Sequence, residues 1–125
     1  MAKLLIVDDE PATVDMISMF MEINGYEWIG AYNGTDGLVL LEVEKPDMLI
    51  VDLMMPDIEG FEVCRRMRER DTFSKTPILV ISARTDQSSI ERALSSGANA
   101  YLTKPLNLPQ LLGEVKRLVE SSQAG

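Results

Sequence analysis

Short continuous apolar runs alternate with longer stretches of helical periodicity along this sequence. The runs from Lys3 to Val7 and from Met48 to Val51 are largely apolar, which is typical of strands covered by helices on both faces. We predict strands near residues 3–7, 27–31, 47–52, 77–82 and 99–102. This alternation over 125 residues indicates one α/β domain built on a five-stranded parallel sheet.

Capping and turn residues mark the ends of five predicted helices. The first begins at Pro11, which suits an opening turn, and stops at Asn24-Gly25. Asn107 caps the last helix, which carries Pro109 in its first turn. The other three are expected at about 34–45, 60–70 and 86–96. We assign residues 1–120 to the domain and predict that 121–125 form a tail or the start of a linker.

Apolar positions at helical spacing identify the buried faces of three helices. On the first, third and last helices the inward residues are predicted to be Val14, Ile17, Phe20, Met21, Phe61, Cys64, Met67, Leu108, Leu111, Leu112, Val115, Leu118 and Val119.

Composition excludes several classes of function. With 12 Lys+Arg against 20 Asp+Glu, the formal charge of −8 repels nucleic acid and anionic lipid, so neither is expected as a direct partner. The chain has no His, which excludes Ser-His-Asp catalysis and His-based metal sites. Its single Cys64 forms no internal disulfide. The apolar run from Leu4 to Val7 is too short for a signal peptide or a membrane span, and a cytoplasmic location is therefore predicted.

Polar residues follow the carboxyl ends of the predicted strands, where ligands of open parallel sheets bind. Asp8-Asp9-Glu10 follows the first strand, Asp52 ends the third, Ser82 ends the fourth, and the fifth leads into Lys104. If the first and third strands are neighbours, the acids crowd together, and their repulsion calls for a cation. Oxygen donors favour Mg²⁺, Mn²⁺ or Ca²⁺, of which Mg²⁺ is the expected ion in a cell.

Asp52 is the expected nucleophile of this site. A carboxylate can accept a phosphoryl group as an acyl phosphate, and Mg²⁺ with Lys104 would stabilise the charge on the phosphoryl oxygens during transfer. This chemistry needs no histidine in the chain.

The pattern resembles the receiver domain of bacterial two-component response regulators, the family that includes the chemotaxis regulators. The resemblance rests on Asp8-Asp9, Asp52, Ser82, Tyr101 and Lys104-Pro105, together with the loop DLMMPDIEG, and it covers nearly the whole chain. It implies a flavodoxin-like, doubly wound α/β fold with strand order 2-1-3-4-5 and five flanking helices.

The resemblance also implies a role for each acid. Asp52 would accept a phosphoryl group from the phosphohistidine of a sensor histidine kinase or a histidine phosphotransfer protein. Asp9 would bind Mg²⁺ directly and Asp8 through a water molecule. Asp52 and the backbone carbonyl of Met54 would complete the protein ligands.

Three further positions would respond to phosphorylation. Lys104 would contact the phosphoryl oxygens, and its bond to Pro105 would be cis. Ser82 would move to hydrogen-bond the phosphoryl group, which frees space for Tyr101 to turn inward. The surface of the fourth helix, fifth strand and fifth helix would then shift and control an output domain or partner protein. Such a chain is a switch rather than an enzyme and self-catalyses only the formation and loss of its aspartyl phosphate.

Two surfaces of the predicted fold could contact partner proteins. A phosphorylation-dependent dimer stays open, because Asn99 and Ala100 stand where regulators that dimerise through this surface usually carry acids. Met16, Met19 and Ile23 lie on the outer side of the first helix, where receivers commonly meet their phosphodonors, and we hypothesise that they form a docking face.

Three other functions fit parts of the pattern. A flavin electron carrier shares the fold, but Asp8-Asp9-Glu10-Pro11 would repel the flavin phosphate. A metal-dependent phosphatase also uses an aspartyl nucleophile, but it normally needs a second carboxylate where this chain has Leu53-Met54. A pseudo-receiver would bind partners without being phosphorylated.

Overall fold

Strands and helices alternate along the chain, as the sequence predicted, in a computed structural model that describes residues 1–124. The strands are β1 (Lys3–Val7), β2 (Glu27–Ala31), β3 (Met48–Asp52), β4 (Ile78–Ser82) and β5 (Ala100–Thr103). The helices are α1 (Pro11–Ile23), α2 (Gly34–Glu44), α3 (Gly60–Arg68), α4 (Gln87–Ser95) and α5 (Leu108–Ala124). Of the helices within these residues, none combines the length and apolar character needed to cross a membrane.

All the strand pairs are parallel, and the sheet has the order β2-β1-β3-β4-β5. The predicted fold class and strand order are therefore confirmed. The chain moves from β1 to one side of the sheet and returns to β3 on the other side. The crevice between the carboxyl ends of β1 and β3 is thus the switch point where ligands of such sheets bind.

Two apolar layers hold the helices against the sheet. Helices α1 and α5 pack on one face, and α2, α3 and α4 pack on the other. Most of the positions predicted to face inward are buried, whereas Phe20, Leu108 and Leu112 are half-buried at the margins. Cys64 is fully buried, which confirms its predicted place in the core. This burial raises the pKa of its thiol to about 12.

Two element ends differ from the sequence prediction. Helix α3 ends at Arg68, and a 3₁₀ turn at Asp71–Phe73 follows it because Phe73 is buried in the core. Helix α5 continues to Ala124, whereas the sequence predicts a tail or the start of a linker from Ser121. No proline or glycine interrupts residues 114–124, so the helix continues. Gly125, the last residue of that predicted tail, lies outside the described residues.

Arg68 joins three separate segments at the amino-terminal end of β4. Its guanidinium donates to the carbonyl oxygens of Phe73 (2.7 Å) and Thr76 (2.6 Å) and twice to that of Gly97 (2.9 and 3.1 Å). It also donates to Oδ1 of Asn99 at 3.0 Å. The planar fork of arginine suits this set of acceptors, which a lysine cannot reproduce.

We predict that Arg68→Lys lowers the free energy of unfolding by about 2 kcal/mol, because lysine keeps the charge but leaves several carbonyl groups without a donor. Urea unfolding monitored by circular dichroism measures the change. The matched control is Arg66→Lys on the exposed side of the same helix, which should stay within about 0.5 kcal/mol of the parent. Equal stabilities for the two variants would contradict a structural role for Arg68.

Candidate functional site

Three carboxylates meet at the carboxyl edge of the sheet. Val7 of β1 pairs with Val51 of β3, so Asp8 and Asp52 leave their strands at the same level. Asp9 follows directly. One carboxylate oxygen from each of Asp8, Asp9 and Asp52 lies within 4.8 Å of the others. The structure therefore brings together the three acids that the sequence singled out.

The three acids differ in their access to water. Asp8 is fully buried and Asp52 is 4% exposed, whereas Asp9 faces the solvent. Oδ1 of Asp8 accepts a hydrogen bond from the backbone N–H of Glu10 at 2.9 Å. Oδ1 of Asp52 accepts one from the backbone N–H of Met54 at 3.3 Å. The buried pair is thus oriented by backbone donors, while Asp9 leaves the cluster open on one side.

Lys104 supplies the positive charge of the site. Its Nζ lies 2.8 Å from Oδ2 of Asp8 and 3.2 Å from Oδ2 of Asp52. The backbone N–H of Lys104 donates to the carbonyl oxygen of Ser82 at 2.8 Å, which fixes the start of the loop after β5. The peptide bond between Lys104 and Pro105 is cis, as the resemblance implied.

Burial and neighbouring charges shift the pKa values of Asp52 and Lys104. Burial raises the pKa of Asp52 above its ordinary value, and the nearby charge of Asp8 raises it further, although Lys104 and the Met54 N–H oppose both effects. Burial lowers the pKa of Lys104, but its hydrogen bond to Asp8 and the charge of Asp52 outweigh that effect and raise the pKa overall. Lys104 is therefore a charged ammonium that partly compensates two crowded acids.

The donor set fits a hard divalent cation. Three carboxylates and one ammonium leave a formal charge of −2 on the cluster. All the candidate donors are oxygen atoms, and the solvent side at Asp9 leaves room for the water ligands that Mg²⁺ keeps. Asp8, Asp9 and Asp52 could hold such an ion. The roles given to Asp8, through water, and to the Met54 carbonyl stay predictions.

Ser82 and Tyr101 both hydrogen-bond to the backbone of Arg84. The Oγ of the fully buried Ser82 accepts from the N–H of Arg84 at 3.1 Å. The hydroxyl of Tyr101 donates to the carbonyl oxygen of Arg84 at 2.8 Å. The two residues that the resemblance assigns to a switch are thus linked through Arg84 in the β4–α4 loop, and sequence spacing does not reveal this connection.

Asp57 joins the loop after β3 to the start of α2. Its carboxylate accepts hydrogen bonds from the N–H of Gly34 (3.0 Å) and from the N–H (2.8 Å) and hydroxyl (2.6 Å) of Thr35. The Thr35 hydroxyl, followed by these backbone donors, lowers the pKa of Asp57 well below its usual range, despite the opposing effect of desolvation. Asp57 therefore places a negative charge on the free backbone donors at the start of α2, which stabilises the first turn of that helix.

Gly60 allows the loop after β3 to close tightly against Asp52. A Cβ atom at this position would overlap the carbonyl oxygen of Asp52 and lie 2.8 Å from Cα of Leu53. The N–H of Gly60 donates to the carbonyl oxygen of Leu53 at 2.9 Å. The sequence predicts Gly60 only as the start of the third helix. The structure adds that this residue holds the backbone around Asp52.

Comparison with known proteins identifies the family. The model of the response regulator receiver domain matches residues 4–116, which is most of the chain. Among curated proteins, the chain is 35% identical over 119 residues to the DNA-binding dual master transcriptional regulator RpaA of Synechocystis. That match covers 95% of this chain and 49% of RpaA.

A second relative is the alkaline phosphatase synthesis transcriptional regulatory protein PhoP of Bacillus subtilis, 34% identical over 121 residues. The match covers 97% of this chain and 50% of PhoP. The chain thus spans about half the length of the curated relatives it matches.

Solved structures agree with this result. The CheY-like receiver domain protein of Methanospirillum hungatei has a TM-score of 0.93 at 27% identity, over 99% of this chain and 98% of that one. The chemotaxis response regulator CheY4 of Vibrio cholerae has a TM-score of 0.90 at 32% identity, over 94% and 98% of the two chains. The sheet order, the acidic crevice and these matches together place the chain in the family of response regulator receiver domains.

Proposed function

We propose that this receiver domain accepts a phosphoryl group on Asp52 in a two-component phosphorelay. The observation that carries the proposal is the position of Lys104, whose ammonium lies 3.2 Å from Asp52 and 2.8 Å from Asp8 in the crevice between β1 and β3. A cation placed beside a nucleophilic carboxylate suits a reaction that builds negative charge at that point.

The transfer step forms one bond and breaks another. A carboxylate oxygen of Asp52 attacks the phosphorus of the donor's phosphohistidine, a P–O bond forms, and the P–N bond breaks with its electron pair going to the imidazole nitrogen. Lys104 then exchanges its contact with the carboxylate for one with the new phosphoryl oxygens. Asp9, Asp52 and the Met54 carbonyl, with Asp8 through a water molecule, would hold Mg²⁺, and the bound ion would supply positive charge to the phosphoryl oxygens.

Loss of the phosphoryl group needs a water molecule at the phosphorus atom. Met54 is 51% exposed, and Ala83 and Arg84 are exposed beside Ser82. We propose that the small Ala83 side chain leaves access to the phosphoryl group, whereas Met54 and Arg84 restrict the path of water. These side chains would set the lifetime of the signal.

The response passes through Arg84. The phosphoryl oxygens would carry about −1.5 to −2 of charge in place of the single charge of the Asp52 carboxylate, and the hydroxyl of Ser82 can leave the Arg84 N–H and donate to them. Tyr101 then turns inward and gives up its bond to the Arg84 carbonyl, which is 2.8 Å long here. We propose that this change shifts the surface formed by α4, β5 and α5 and controls an output domain or partner protein. Residues 1–120 would form the receiver unit of that switch.

Helix α1 offers a surface for the phosphodonor. Met16, Met19 and Ile23 are 40%, 65% and 81% exposed. Met16 also lines a groove of about 270 Å³ with Glu10, Thr13, Lys104, Pro105 and Leu106, and this groove lies directly beside the site. We propose that a sensor histidine kinase or phosphotransfer protein docks on this face with its histidine toward Asp52.

Acetyl phosphate with Mg²⁺ should add one phosphoryl mass to the parent chain and none to Asp52→Asn, because the amide is not a nucleophile of this kind. Intact-mass spectrometry measures the gain. The matched control is Asp71→Asn, an exposed acid outside the cluster, which should label like the parent. Labelling of Asp52→Asn at the parental level would contradict the assignment, and no labelling of the parent would favour a pseudo-receiver.

Mg²⁺ should stabilise the folded chain, because the crowded acids bind it only when the fold brings them together. At a concentration 100 times its dissociation constant, the ion should add about 2.7 kcal/mol to the free energy of unfolding. Asp9→Asn should lose most of this gain, yet it should be at least as stable as the parent in EDTA, since it removes one of three repelling charges. Urea unfolding with and without Mg²⁺ measures both effects. A full Mg²⁺ effect in Asp9→Asn would refute the ligand role.

Met16→Lys combined with Met19→Lys should slow phosphoryl transfer from the cognate kinase at least tenfold and leave labelling by acetyl phosphate unchanged. The charged side chains would remove the apolar contact while leaving the crevice intact. Transfer is measured with a panel of phosphorylated histidine kinases. The control is Leu94→Lys, an exposed apolar residue on α4. Equal transfer to the variant and the parent would remove α1 as the docking face.

A further inference from the structure

The net charge of the chain lies entirely in its first four elements. Residues 1–47 carry ten acidic and two basic residues, a formal charge of −8, whereas residues 48–125 carry ten of each. The first group forms β1, α1, β2 and α2, at the side of the sheet that ends in β2. Only part of this charge belongs to the phosphorylation site, so the surface around β2 is itself strongly acidic.

Apolar side chains are exposed on both sides of β2. Trp28 and Tyr32 are 36% and 45% exposed on the strand and just after it, and Val39 and Val43 are 56% and 68% exposed on α2. A groove of about 390 Å³ is lined by Gly30, Tyr32, Val39 and their neighbours. A second groove of about 570 Å³ adjoins Trp28. We call the strip formed by Trp28, Gly30, Tyr32, Val39 and Val43 the β2 edge. An apolar strip of this kind, bordered by charge, is typical of a protein-binding surface.

Two aromatic rings flank Gly30 on the edge strand. A Cβ atom at Gly30 would lie 3.4 Å from the Trp28 ring and 3.8 Å from the Tyr32 hydroxyl. The indole N–H of Trp28 donates to Oε1 of Glu22 at 3.1 Å, which holds the ring at the surface. The edge therefore presents two aromatic side chains, and Gly30 is closely packed between them, because its Cβ atom would also lie 2.9 Å from Cγ1 of Val14.

The backbone of β2 has an open side. The N–H of Glu27 donates to Ala2 and the carbonyl oxygen of Ala31 accepts from Asp8, so both groups point toward β1. Because backbone groups alternate along a strand, those of Trp28 and Gly30 point away from the sheet. Within residues 1–124, β2 is an outer strand of the sheet and pairs with β1 alone. These outward groups can accept another strand.

Acidic side chains border this edge, and Lys3, which lines the groove beside Trp28, pairs with Glu44 instead. Glu22 and Glu27 line the groove beside Trp28, and Asp36 lines the groove beside Tyr32. Within residues 1–124, no Lys or Arg lies within ion-pair distance of these three acids. The charge of the edge is therefore available to a partner.

We propose that the β2 edge binds an extended basic segment of a partner protein, which adds to the sheet as a strand beside β2. Its backbone pairs with Trp28 and Gly30, alternate apolar side chains fill the grooves beside the two aromatic rings, and its Lys or Arg side chains face Glu22, Glu27 and Asp36. This site is separate from Asp52 and from the docking face on α1, and it does not depend on phosphorylation.

Charge selects this occupant over the other candidates. A second copy of the chain would place one acidic edge against another, and like charges facing each other oppose pairing. Nucleic acid and anionic lipid are repelled for the same reason. A basic segment gains the backbone pairing and the charge complementarity together.

Trp28 provides a built-in probe, because it is the only tryptophan of the chain. The probe ligand is a short synthetic peptide in which Lys alternates with Val. Added to the full chain, it should change Trp28 fluorescence in a saturable way and shift the amide resonances of Trp28 and Gly30. Its affinity should fall as NaCl is raised, because salt screens exposed charges. Replacing every Lys with Glu, or N-methylating the backbone groups that would pair with β2, should weaken binding at least tenfold.

Glu27→Lys combined with Val39→Lys should weaken binding of the Lys-Val peptide at least tenfold. The matched control is Glu91→Lys combined with Leu94→Lys, an exposed acid and an exposed apolar residue on α4, which should bind like the parent. Labelling of both double variants by acetyl phosphate, together with circular dichroism, verifies that they are folded.

Three results would overturn the proposal. The first is no saturable change at Trp28. The second is equal binding of the N-methylated peptide or of the acidic peptide. The third is a dimer of the parent chain, seen by sedimentation without peptide, that alters Trp28 fluorescence as protein concentration rises.

Discussion

The ammonium of Lys104 partly compensates the negative charges of two buried acids that the fold places side by side. It contacts both Asp8 and Asp52, which share the crevice where the direction of the chain reverses between β1 and β3. Placing like charges together in buried positions costs stability, and a single cation offsets only part of that cost. The cluster is therefore poised to gain from a divalent ion and from a ligand that takes over the contacts of Lys104.

Much of the fold follows from local sequence. The apolar runs and the caps at Pro11 and Asn107 place the elements to within about two residues of the observed ends, apart from the end of α5. Periodicity alone does not order parallel strands, and the order came from the resemblance. The acids were found because strand ends in such sheets share one edge. The Arg68 network, the contact of Asp57 with α2 and the link through Arg84 were missed, because each joins segments that only tertiary packing brings together.

The molecule divides into parts with different surfaces. The part that contains β1, α1, β2 and α2 carries the net negative charge, while residues 48–125 are neutral overall and contain Ser82, Tyr101 and Lys104. The proposed phosphorylation site lies at the boundary, because Asp8 and Asp9 belong to the first part and Asp52 to the second. In the proposed mechanism, a change of charge at the boundary would be sensed through Arg84 on one side, while the β2 edge on the other side would stay unchanged. This arrangement would let one small domain bind different partners on separate surfaces.

The most direct test is a crystal structure of the chain with Mg²⁺ and beryllofluoride, which mimics a phosphoryl group on a carboxylate. We predict beryllofluoride on Asp52, Lys104 in contact with a fluorine atom, and Mg²⁺ bound by Asp9 and Asp52. We also predict that Ser82 turns toward the mimic and that Tyr101 leaves the Arg84 carbonyl. Beryllofluoride on another carboxylate, or a crevice with Lys104 still held between Asp8 and Asp52 and no ion bound, would contradict the account.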